Sequence, residues 1–149
     1  MKKHRELDWL ELSKVIKWIS LIDFCEWPQQ SDCPAMAHGH WHGLQEVTQS
    51  LVDAEMRHWL GCKDFNRMLS VVMPGRNIEP HRDDPQPLDW ITRIHIPLTT
   101  NPEALFYFEG QPSCPEVGWS YLLDVTREHA IENKGSIPRI HFMFDITAP

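Results

Sequence analysis

Within the 149-residue chain, the run Glu79-Pro80-His81-Arg82-Asp83-Asp84 carries the sharpest chemical signal. His81 and Asp83 are two positions apart, so on an extended segment both side chains leave the same face. An imidazole and a carboxylate presented side by side can share one metal ion. Asp84 points the opposite way on such a segment, which favours Asp83. A third ligand has to come from a distant part of the chain, and His129, read as following a strand at the entrance to a loop, can supply it. Two histidines and one carboxylate on one face of a metal leave its other positions open, the arrangement of non-haem Fe(II) oxygenases. Arg139 follows His129 by ten positions. An open iron site that takes a dicarboxylate co-substrate needs a buried cation for the far carboxylate, and a guanidinium fork pairs with a carboxylate bidentately.

The elements that must hold these residues divide the chain. Apolar positions Leu7, Leu10, Val15, Trp18, Ile19 and Ile22 recur near a 3.6-residue period and predict a helix that Trp27-Pro28 ends. A second helix is expected over Leu44–Leu60, with Val47, Leu51, Met56 and Trp59 inward and Gly61 as its stop. After Gly61 short β-like runs alternate with turns. Strands are expected near Arg67–Met73, Ile91–Leu98, Ala104–Glu109, Trp119–Val125 and Arg139–Ile146, with turns at Met73–Gly75, Asn101-Pro102 and Gly110–Pro115. Helices followed by several short strands indicate one mostly β domain, an antiparallel barrel or sandwich, over residues 63–149 with a mainly helical support at 1–62. Two strands have an unusual polar face. Ile94, Ile96 and Leu98 lie opposite Arg93 and His95, and Ile140, Phe142 and Phe144 lie opposite Arg139 and His141. Two such faces in a chain with a metal motif point to a polar-lined cavity.

Composition removes several classes of function. A net charge of −7 without a Lys/Arg block argues against nucleic-acid binding. The N-terminus MKKHRELDWLELSK carries acids within its apolar stretch, so it reads as neither a signal peptide nor a membrane span. Cys25, Cys33, Cys62 and Cys114 form no CxxC pair and read as reduced thiols of a cytoplasmic protein. His38, His40 and His42 alternate within the Pro28–Gly43 loop. Alternating histidines could bind a second metal or line a substrate entrance, but no acid or cysteine beside them completes a metal shell, so the stretch reads as a mobile His-rich loop without a fixed ion. Neither a GxSxG elbow nor a P-loop is present.

The segment from Asn66 to Ile146 resembles the aspartyl/asparaginyl β-hydroxylase-like branch of the 2-oxoglutarate oxygenases. The resemblance runs through Ser70-Val-Val-Met-Pro-Gly-Arg-Asn-Ile-Glu-Pro-His81, Arg93-Ile-His95-Ile-Pro-Leu98, Glu116-Val-Gly-Trp-Ser-Tyr-Leu-Leu-Asp124 with Glu128-His129, and Arg139-Ile-His-Phe-Met-Phe-Asp145. It covers just over half the chain. It implies a double-stranded β-helix (jelly-roll, cupin-like) with Fe(II) at one mouth, 2-oxoglutarate as co-substrate and O2 as oxidant. By position, Arg139 and Ser70 should hold the distal (C5) carboxylate of 2-oxoglutarate, and Arg93 with His95 should approach its C1 end. The implied reaction decarboxylates 2-oxoglutarate to succinate and hydroxylates a C–H bond of a small molecule or an amino-acid or peptide side chain. Two departures stand out. The founding branch has no carboxylate where this chain offers Asp83, and the stretch from Asp84 to Trp90 is a few residues longer than in the founders. Rival readings are a non-catalytic jelly-roll module that binds metal or 2-oxoglutarate, and a cupin using another metal, which has no need of Arg139.

Overall fold

The computed structural model describes residues 1–22, 43–83 and 91–147. The Trp27-Pro28 helix end, the His38/His40/His42 loop and Asp84 lie outside these residues. The order of elements is β1 (Lys2–Glu6), α1 (Trp9–Ile19), α2 (Leu44–Met56), β2 (Asp64–Val72), β3 (Asn77–His81), β4 (Ile91–Thr99), β5 (Ala104–Phe108), β6 (Gln111–Ser113), β7 (Trp119–Leu123), β8 (His129–Asn133) and β9 (Arg139–Thr147). The strands form two antiparallel sheets, ordered β1-β7-β4-β9-β2 and β3-β8-β5-β6. The mostly β architecture with buttressing helices is the double-stranded β-helix expected from the sequence.

Period-2 alternation explains the larger sheet. One face carries Leu69, Val71, Ile94, Ile96, Leu98, Ile140, Phe142, Phe144 and Ile146, which join Leu12, Val15 and Ile19 of α1 and Leu44, Leu51 and Val52 of α2 in the main core. Truncating Phe142 here to alanine would cost about 3–5 kcal/mol. The opposite face looks into the space between the sheets. There Val72 and Leu123 meet Ile78, Phe106 and Ile131 of the smaller sheet in a second cluster. Ser70, His95, Arg139, His141 and Asp145 are buried on this same inner side. The two-faced strands at 93–98 and 139–145 are thus present as expected, and their polar faces point inward.

The helices depart in detail. α1 starts at an N-cap, Asp8, whose Oδ1 accepts from the Leu10 amide at 2.8 Å and the Glu11 amide at 3.4 Å. Its buried stripe is Leu12, Val15 and Ile19, while Leu10, expected inward, is 65% exposed. α2 ends at Met56, short of the expected Leu60, and Gly61 adopts φ 78° beyond it. Its buried positions are Leu44, Thr48, Leu51, Val52 and Glu55, a stripe rotated from the predicted one because two polar residues belong to it. Thr48 Oγ1 donates to the Leu44 carbonyl at 2.6 Å, and Glu55 accepts from Trp59 Nε1 at 3.2 Å, with His4 Nε2 3.4 Å away. Such partners make the burial of polar groups tolerable.

Four short strands were not anticipated: β1, β3, β6 and β8. β1 adds an edge strand to the larger sheet from within the N-terminal part expected to be helical. His129 opens a strand, β8, rather than following one into a loop. That correction matters, because β8 is the partner of β3 and brings His129 opposite His81.

Candidate metal centre

His81 is the last residue of β3 and His129 the first of β8, and the two are direct antiparallel partners. A register irregularity between Ile78 and His81 lies just before this pair. The rings are tilted at 56° to each other with centroids 4.3 Å apart. Asp83 is tied down two residues later by its amide, which donates to the Val125 carbonyl at 2.9 Å. Its Oδ1 lies 3.3 Å from His81 Nε2 and 3.7 Å from His129 Nε2. One donor atom from each of the three residues lies within 4.8 Å of the others.

The orientation of both rings is fixed from behind. His81 Nδ1 donates to the Glu79 carbonyl at 2.8 Å and His129 Nδ1 donates to the Arg127 carbonyl at 2.9 Å. A carbonyl only accepts, so each Nδ1 carries the proton and each Nε2 presents its lone pair to the common centre. This is the tautomer a metal-ligating histidine needs. When Nε2 is protonated as well, the ring donates to Asp83, which raises the pKa of His81, whereas burial lowers that of His129. Burial pushes Asp83 upward, but its bond to His81 and the nearby charge of Arg93 outweigh that and hold it below the ordinary carboxylate range. The donor set, its tautomers and its half-buried position fit a divalent transition metal.

Behind the three residues, the inner face of the larger sheet supplies the rest. Arg139 is 2% exposed; its Nη1 donates to Ser70 Oγ at 3.0 Å and its Nη2 to His141 Nδ1 at 2.8 Å. Among the described residues no carboxylate lies within ion-pair distance of it. Burial pulls its pKa down to about 9, which leaves it cationic at neutral pH. Neither ring nitrogen of His95 has a hydrogen-bond partner among the described residues, nor does His141 Nε2. Burial and the charge of Arg139 drive both of these histidines well below their ordinary pKa, so both rings are neutral. A buried cation and unfilled polar atoms are costly unless something complementary occupies the space.

Arg93, unlike Arg139, has carboxylate partners among the described residues. Its Nε and Nη2 donate to Oδ1 and Oδ2 of Asp145 at 2.7 and 3.0 Å, and its Nη1 donates to Asp83 Oδ2 at 2.5 Å. Arg93 and Asp145 are direct partners across β4 and β9. The sequence reading gave Asp145 no role. Its place on the inner face of β9, in step with Arg139 and His141, was the available signal. His81, Asp83, His129, Ser70, Arg93 and His95 all border one cavity of about 30 Å³, together with Phe106 and Met143. That is room for one or two waters. Roomier hollows, of about 260 Å³ over Glu79, Tyr107 and Glu132 and about 620 Å³ over Lys2, Phe108 and Arg127, contain one of these six residues at most.

The chain belongs to the aspartyl/asparaginyl β-hydroxylase family, whose model matches residues 42–149. No curated protein matches the sequence significantly. Among solved structures, the fold is similar to a nickel complex of the non-haem monooxygenase ThoJ, with TM-score 0.68 and 12% identity over 100% of this chain and 73% of the other. It is also similar to the 2-oxoglutarate complex of the collagen prolyl hydroxylase vCPH from Paramecium bursaria Chlorella virus-1, with TM-score 0.62 and 15% identity over 99% of this chain and 95% of the other. At such identities the likeness speaks for the fold. Among the described residues, no helix is long and apolar enough to cross a membrane.

Proposed function

We propose that this chain is an Fe(II)- and 2-oxoglutarate-dependent oxygenase that hydroxylates a C–H bond of a small molecule or of an amino-acid or peptide side chain. The observation that carries the proposal is the convergence of His81 Nε2, Asp83 Oδ1 and His129 Nε2 in a fold whose inner face also buries an arginine without a carboxylate partner among the described residues. A three-residue set leaves positions for a chelating co-substrate and for O2, whereas a purely structural site is closed by protein ligands. Family membership supports hydroxylase chemistry, and the vCPH complex is a precedent for 2-oxoglutarate in this fold.

His81, Asp83 and His129 hold the iron in this scheme. Iron so bound supplies the activation of O2, with one oxygen atom entering 2-oxoglutarate as it becomes succinate and CO2 and the other entering the substrate C–H bond. Arg139, which lies behind Ser70 and does not itself border the cavity, binds the distal carboxylate together with Ser70 once the lining gives way, and the carboxylate neutralises the buried guanidinium. His95 offers a ring N–H to the co-substrate near the metal. Phe106 stacks on the His129 ring, with centroids 6.1 Å apart and planes 11° apart, and covers it from water. A five-carbon diacid is larger than the cavity, so side chains must give way as it enters. Met143, unbranched and with three rotatable bonds, is the adaptable one in the lining.

The test is oxygen transfer. Metabolites and peptides are incubated with the protein, Fe(II), 2-oxoglutarate and O2, and products are searched by mass spectrometry for the gain of one oxygen. A product that forms with the wild type and not with His81→Ala supports the proposal. Metal-dependent binding of 2-oxoglutarate with no turnover under any condition would instead make the chain a binding module.

A further inference from the structure

We infer that Asp145 is a positioning residue for the metal ligand Asp83 and acts through Arg93. The inference rests on the metal-site reading above and extends it to Asp145, which contacts none of the three proposed ligands.

Asp83 is the ligand with least intrinsic support. It lies beyond the end of β3, and a carboxylate on one Cβ can swing away from its histidine neighbours. Arg93 restrains it: Oδ1 faces the two imidazoles while Oδ2 is held by Arg93 Nη1 at 2.5 Å. Arg93 is fixed in turn by the two-point clasp of Asp145, at 2.7 and 3.0 Å. Asp145 is 1% exposed, and its Oδ2 also accepts from Asn66 Nδ2 at 2.8 Å. Asn66 has φ 57° within the irregular stretch between Phe65 and Met68 of β2. One line of contacts thus runs from β2 through β9 and β4 to the ligand at the end of β3.

Charge gives the arrangement a second purpose. A guanidinium beside a metal ligand competes with the incoming cation for the same carboxylate and repels it. Asp145 neutralises Arg93, so the Asp83 charge stays available to the metal while its geometry is held. Two-point pairing of a guanidinium with a carboxylate fixes direction as well as distance. Partners that orient a ligand in this way typically change metal affinity 10–100-fold when removed.

The experiment is titration of the full chain with Co(II), read by its visible ligand-field absorption and by equilibrium dialysis. Asp145→Asn is expected to weaken Co(II) about 10–100-fold and to shift the spectrum toward that of Asp83→Ala. The double variant Asp83→Ala/Asp145→Asn should bind as Asp83→Ala does, because the ligand through which Asp145 acts is already gone. A folded Asp145→Asn with wild-type affinity and spectrum, or a further loss in the double variant, overturns the inference. Should Asp145→Asn not fold, Asn66→Gly decides in its place. Glycine tolerates the left-handed backbone and removes only the bond to Asp145. Unchanged affinity and spectrum in Asn66→Gly then overturn it. His81→Ala separates the two levels: Co(II) binding as tight as in the wild type would count against the metal site itself.

Discussion

Replacing Arg139 by methionine removes a buried cation whose contacts are Ser70 Oγ at 3.0 Å and His141 Nδ1 at 2.8 Å. In the unliganded protein two effects oppose each other. Ser70 and His141 each lose a donor, at about 1–3 kcal/mol apiece. Against that, the variant no longer desolvates a charge that has no carboxylate partner among the described residues, a penalty of several kcal/mol. The unliganded stability should therefore change by no more than about 2 kcal/mol. Co-substrate binding has no such offset. Loss of a charge-assisted, two-point grip on the distal carboxylate is worth about 3 kcal/mol, or roughly 100-fold in Kd. The assay is thermal unfolding with saturating Mn(II) and with 2-oxoglutarate at about 100 times the wild-type Kd. At that concentration the ligand adds about 2.7 kcal/mol, which for a chain of 149 residues raises Tm by about 5–10 °C. In Arg139→Met the same concentration equals the Kd, adding about 0.4 kcal/mol and about 1–2 °C. A variant that loses more than about 10 °C of unliganded Tm and keeps the full 2-oxoglutarate shift would refute the reasoning, since Arg139 would then be a structural strut.

Acid should weaken the fold through His95 and His141. Both are neutral when folded, held below their usual pKa by burial and then by Arg139, and both take up protons on unfolding below about pH 6.5. The unfolded chain thus binds more protons there. Stability is full above about pH 6.5 and falls below it, by up to about 1.4 kcal/mol per pH unit for each ring. Urea midpoints at about pH 7.5 and about pH 5.5 should show a steeper fall in the wild type than in His95→Gln/His141→Gln; parallel curves would contradict neutral burial. Met143→Ala enlarges the cavity and should cost about 2–5 kcal/mol of unliganded stability by calorimetry, while 2-oxoglutarate binds as well as before or more tightly. Weaker binding would show that Met143 grips the ligand rather than yielding to it.

Much of this site could be read from residue order because its chemistry follows the strand period. His81 and Asp83 share a face by their spacing, and the alternation at 93–98 and 139–145 separates helix-facing apolar residues from inward polar ones. Long strands with one uniform face announce themselves. Short ones do so only when aromatic-rich, as ALFYF of β5 and WSYLL of β7 are; β6 is the three residues QPS and β8 the five residues HAIEN, and neither has that composition. β1, with the sequence KKHRE, has no apolar alternation at all and owes its conformation to edge pairing with β7. Missing β8 hid the reason His129 meets His81, which is strand pairing. The α2 stripe was misplaced for a different cause. Thr48 and Glu55 are buried with partners, and a count of apolar residues passes over them. Asp145 stayed silent because its role depends on the β4/β9 register, which sets it opposite Arg93.

Succinate production tests the central claim most directly. The protein is incubated aerobically with 2-oxoglutarate, with and without Fe(II) and with and without candidate substrates, and succinate is quantified. The account predicts iron-dependent succinate, one molecule for each 2-oxoglutarate consumed, and none from a folded His81→Ala variant. Fe(II) bound by His81, Asp83 and His129 with no succinate formed, and no iron-dependent binding of 2-oxoglutarate, would contradict it.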